Sequence, residues 1–137
     1  MYEKIMVPVD LAHVERLEKA LATAADLARH YDVPMVYVGV AAATPNPVGH
    51  NPTEFDAKLA AFTEDQVKKH GVEATRHACI SHDPAVDLDR TLLEAIEETG
   101  ADLVVMASHV PGLAEHIFAS NAGYVASHAE VSVLVVR

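Results

Sequence analysis

Hydrophobic positions along the chain follow two rhythms. Residues 4–9 (KIMVPV), 35–41 (MVYVGVA) and 103–106 (LVVM) are short apolar runs without polar alternation. Runs of this kind predict strands buried on both faces, the habit of a parallel sheet. Residues 131–137 (VSVLVVR) predict another strand, apolar on both faces through Val133, Leu134, Val135 and Val136. Residues 72–80 alternate instead, with Glu73, Thr75 and His77 opposite Val72, Ala74 and Ala78. That pattern belongs to a half-exposed edge strand.

Between the strands, apolar residues recur at helical spacing. Residues 14–31 align Leu17, Leu21, Ala24, Ala25, Leu27 and Ala28. Residues 52–69 align Phe55, Leu59, Phe62 and Val67, and residues 86–98 align Leu88, Leu92, Leu93 and Ile96. A last helix is expected over residues 120–128. The residue before Pro34 avoids the helical region, and Gly71 and Gly100 are natural helix stops. Residues 42–51, rich in proline, glycine and asparagine, read as a loop over the sheet's carboxyl edge, and residues 81–84 as a turn. Five strands alternating with four helices predict one α/β domain: a parallel sheet with helices on both faces.

The stretch 102–121 (DLVVMASHVPGLAEHIFASN) carries the candidate chemistry. A buried parallel strand that ends in a loop and feeds a helix is where open α/β sheets bind ligands, and amides there favour phosphate. Asp10 ends the first strand at the same edge. Its carboxylate can accept from a ribose hydroxyl or an adenine amine, or can simply hold the following loop. Ser108-His109 does not read as a nucleophile with its base, because no G-x-S-x-G elbow surrounds it. Ser120 reads as a helix N-cap that can also face a phosphate.

Composition narrows the partners. Over 137 residues the net charge is -10, which repels nucleic acid. No apolar run approaches a membrane span and no signal peptide is visible, so a soluble, cytoplasmic protein is expected. Cys79, the single cysteine, reads as a small buried side chain rather than a reactive thiol. Nine histidines are scattered without an H-x3-H pair, so no metal site is expected. Asp87, Asp89, Glu94, Glu97 and Glu98 read as a solvated acidic face.

From end to end the chain resembles the universal stress proteins of the UspA family. The resemblance rests on KIMVPVD at the start, Asp83-Pro84-Ala85, GADLVVMASH at 100–109 and SNAGYVASHAEVSVLVVR at 120–137. The SH-x-P and SNA pieces look most like the small enterobacterial-type branch. The resemblance implies a flavodoxin-like sheet of order 3-2-1-4-5 and a homodimer through the last strand, with Val131, Val133, Leu134, Val135 and Val136 at the contact. It implies an adenine nucleotide, ATP or AMP, with Mg2+ as an accompanying ion. The adenosine end would use Pro8, Val9, Asp10 and Val40. The phosphate end would use Ala107, Ser108, His109, Val110, Ala119, Ser120 and Asn121.

The family's phosphate loop is written G-x2-G-x9-G-[ST]. This chain places Ala107, Val110 and Ala119 where those glycines fall, in a loop one residue shorter, and keeps Ser120. A Cβ at each position narrows a cradle that glycine leaves open. No lysine or arginine occurs from Ala107 through Ser120. Two functions therefore stand side by side: a stress-response module that binds an adenine nucleotide with little or no hydrolysis, and a dimeric scaffold acting through a protein partner such as a transporter. Neither requires catalytic residues.

Overall fold

The computed structural model describes residues 1–42, 51–108 and 121–137. The strands are β1 (Ile5–Pro8), β2 (Met35–Ala42), β3 (Ala74–Ser81), β4 (Leu103–Ala107) and β5 (Ser132–Val136). The helices are α1 (Glu18–Tyr31), α2 (Pro52–His70), α3 (Pro84–Thr99) and α4 (Ala122–His128). The sheet has the order β3-β2-β1-β4-β5 and every pairing is parallel. This is the flavodoxin-like order that the resemblance implies. The alternating strand is at one edge and the terminal strand at the other.

Strand alternation divides the core in two. Ile5, Val7, Met35, Tyr37, Leu103 and Val105 pack against Leu21, Ala24 and Ala25 of α1 and Phe55 and Leu59 of α2. Met6, Val36, Val38, Val104 and Met106 point the other way, onto Leu88, Leu92 and Ile96 of α3 and Val125 of α4. Burying large side chains of this kind contributes roughly 1.5–3 kcal/mol each, which explains why β1, β2 and β4 contain no charged residue.

Helix ends follow local chemistry. Asn51 caps α2 by accepting the Glu54 amide at 2.8 Å, with Pro52 as the first helical residue. Gly71 and Gly100 close α2 and α3 in the left-handed region, at φ 67° and 71°. Asp32 closes α1 the same way at φ 55°, so that helix ends through a left-handed residue before Pro34 intervenes.

Three expectations need correction. The segment expected as one helix from residue 14 begins instead as a 3-10 turn, Val14–Arg16, and α1 starts at Glu18. The chain is still leaving the turn set by Asp10, whose carbonyl accepts the His13 amide. α3 starts two residues earlier than expected, because Pro84 sits at its first position, where a missing N–H costs nothing. On α2, Gln66 rather than Val67 continues the buried row of Phe55, Leu59 and Phe62, since residue 66 holds the helical phase.

Candidate functional site

Strand order reverses between β1 and β4, so the switch point of the sheet is at their carboxyl ends. Pro8 opens that point. Ile5 N donates to Pro34 O at 3.1 Å and Val9 N to Val38 O at 2.8 Å, so odd-numbered amides of β1 face β2. Even-numbered amides face β4, and Pro8 has none to offer. Accordingly the β1–β2 pairing runs to Pro8 and Val38, while the β1–β4 pairing stops at Met6 and Val104. One proline ends one ladder and leaves the other whole. In open α/β sheets the ligand crevice lies at such a point, which here is where β1 and β4 cease to pair.

Asp10 stands at this opening and is only 6% exposed. Its Oδ1 accepts the Ala12 amide at 3.0 Å, and its Oδ2 is 2.9 Å from His13 Nδ1. The carboxylate therefore holds the loop after β1, the structural role weighed for it, while remaining at the switch point. His13 is the neighbour that sequence reading passed over, as one of nine scattered histidines. Val9 is buried in the α1 side of the core. Val40 is half-buried and packs toward the α3 side.

On the β4 side, Ala107 is 8% exposed and ends the strand. The Ser108 amide donates to Val136 O of β5 at 2.8 Å. That N–H is committed to the sheet and is not a phosphate donor. Asn121 precedes α4 in a helical conformation, and its side chain makes no capping bond to that helix. His109, Val110, Ala119 and Ser120 lie outside the described residues.

A second grouping lies two strands away. His77 and Cys79 share one face of β3 with Ser81, and α3 packs over that face. His77 Nε2 is 2.7 Å from Glu98 Oε2. Burial, followed by the charges of Glu98 and Glu94, pushes the Cys79 thiol up to about 11. At neutral pH that favours the protonated thiol, and Cys79 is half-buried rather than the fully buried side chain expected. The acidic face of α3 is also less uniform than expected. Asp89 Oδ1 is buried without a partner among the described residues, and burial raises its carboxyl above the usual range.

An open, doubly wound sheet with a carboxylate at its switch point defines a class of small α/β domains. Within it, the chain belongs to the universal stress protein family, whose model matches residues 1–137. Universal stress protein G of Shigella flexneri is 31% identical, with all of both chains aligned. A universal stress protein from Archaeoglobus fulgidus superposes with a TM-score of 0.73 at 24% identity over all of both chains. A structure of the A. fulgidus protein in complex with dAMP superposes with a TM-score of 0.72 at 22% identity, over 99% of this chain and 98% of the other. At such identities the structural likeness establishes the fold. Among the described residues no helix is long and apolar enough to cross a membrane.

Proposed function

We propose that the protein is a stress-response module that binds an adenine nucleotide, AMP or ATP, in the crevice between β1 and β4. Occupancy rather than turnover carries its signal. The observation that carries this reading is Asp10: a buried carboxylate fixed at the switch point, where Pro8 ends the β1–β4 ladder. A carboxylate there accepts from ribose hydroxyls or the adenine amine. The dAMP complex of a structural neighbour supports the choice of adenine. With the Ser108 amide bonded to Val136, phosphate contacts fall to the remaining donors of the β4–α4 connection, and Mg2+ would offset the missing cationic side chains.

Thermal melts with AMP, ADP and ATP, with and without magnesium, test the reading. A ligand at a hundred times its dissociation constant adds about 2.7 kcal/mol. A rise in melting temperature that is absent in Asp10→Asn is the expected result. No shift with any adenine nucleotide overturns the proposal.

A second reading has its own observation. β5 is an edge strand, with Leu134 and Val135 38% and 37% exposed. An apolar edge is a template for pairing, and a two-fold partner satisfies it. We propose that two copies associate through Val131 and β5, and that a cytoplasmic dimer also presents a surface to a protein partner such as a transporter.

A further inference from the structure

We propose that His77, Cys79 and Glu98 form a binding site for a thiophilic divalent cation of the zinc type, at the β3 edge and remote from the nucleotide crevice. One ligand atom from each residue lies within 4.8 Å of the other two. Strand geometry supplies two of them, because residues two apart on β3 point the same way. Glu98, in the last turn of α3, brings the third to the same face. Tetrahedral zinc holds nitrogen and oxygen ligands about 3.3 Å apart, so small side-chain rotations suffice to close the site.

Two further features point to a ligand. Ser81, next on the same face of β3, is 4% exposed and lines the same cleft, of about 340 Å³. Its Oγ has no hydrogen-bond partner among the described residues. A hydroxyl there can bond a water that completes a three-ligand site. The charge is also right for a cation. Glu94 lines the cleft one helical turn before Glu98, and Arg90 of the same cleft turns to Asp87 and Glu94. Glu94 and Glu98 together give the cleft the negative field that a divalent cation needs. Thiolate and imidazole together select zinc-like ions over magnesium or calcium.

Binding is a proton exchange. The cation forms a bond to Cys79 Sγ as the S–H bond breaks, and that proton leaves to solvent. His77 binds through the Nε2 lone pair in the tautomer that carries its proton on Nδ1, and the ion replaces the Nε2–Glu98 contact. About one proton is released per ion. No electron transfer is involved.

Cobalt(II) replaces zinc as a spectroscopic probe. Titrating the full chain with cobalt chloride is expected to raise a thiolate-to-metal charge-transfer band that saturates at one ion per chain. Cys79→Ser is expected to abolish the band, and zinc chloride to displace it. His77→Ala and Glu98→Gln are each expected to weaken binding roughly tenfold or more. These two side chains are 33% and 55% exposed, so their variants are expected to fold even if the cysteine variant does not. Absence of the band overturns the site. So does an affinity unchanged in either His77→Ala or Glu98→Gln.

Discussion

Asp10 Oδ2 lies 2.9 Å from His13 Nδ1, while its other oxygen takes the Ala12 amide. The carboxylate is thus a turn-maker and a candidate ligand group at once. The two roles separate by substitution. A carboxamide in place of the carboxylate keeps an oxygen for Ala12 and an amide for His13 but loses the charge. Asp10→Asn should leave urea unfolding within about 0.5 kcal/mol while weakening AMP binding, whereas Asp10→Ala should lower stability by about 1–2 kcal/mol. Equal stability losses in the two variants would contradict this division of labour.

Gly39 of β2 faces Phe55 and Leu59 of α2. A Cβ built there would lie 2.9 Å from Phe55 Cζ, 3.0 Å from Phe55 Cε1 and 3.3 Å from Leu59 Cδ2. Phe55 and Leu59 are buried, so either must shift within the packed core to make room. Gly39→Ala should therefore destabilise by about 1–2 kcal/mol despite the gain in strand propensity. Adding Phe55→Leu should recover part of that loss, as a double-mutant cycle by chemical denaturation would show. Additive losses would mean that the ring is not the obstruction.

The β5 edge makes an assembly prediction. Leu134→Arg with Val135→Glu places charge on both faces of the exposed strand. Sedimentation velocity should move from twice the chain mass of 14.7 kDa to that mass, with the circular dichroism spectrum retained. A wild-type protein already at the single-chain mass would remove β5 as a dimer contact.

Tyr37 links stability to alkaline pH. None of its surface reaches solvent, and its hydroxyl has no partner among the described residues. Burial raises its pKa from 10.0 to about 12. A raised folded-state value means that the unfolded chain loses the proton first. The contribution is whole below pH 10 and disappears as pH rises from 10 through 12. Tyr37→Phe should flatten the decline in unfolding free energy over that window. At pH 7 it should be neutral or stabilise by about 1 kcal/mol, since the edge-to-face contact with Phe62 at 5.3 Å remains available to a phenylalanine. An unchanged alkaline slope would place the titration elsewhere.

Element order was legible in the alternation of apolar runs and helical stripes, and the half-exposed pattern of residues 72–80 correctly marked an edge strand. The strand order came with the family resemblance rather than from periodicity, because pairing joins segments that sequence spacing does not relate. The candidate crevice was legible through Asp10, which follows an apolar strand. His13 was not, since a histidine three residues away signals nothing until the turn closes. The pairing of the Ser108 amide with Val136 was equally hidden, because it depends on where β5 docks. His77 and Cys79 looked unconnected to Glu98 for the same reason.

By itself the sequence determined which segments are strands and helices, where Gly71 and Gly100 end them, and which positions are apolar enough to be buried. These are local properties of backbone and side chain, read within a few residues. Tertiary structure alone decided that Pro8 withholds its missing amide from β4 rather than β2, that Gln66 takes the buried phase, and that a strand edge and a helix end bring imidazole, thiol and carboxylate together. Each depends on which distant segment lies alongside, and that is settled by how the two helical layers share one sheet.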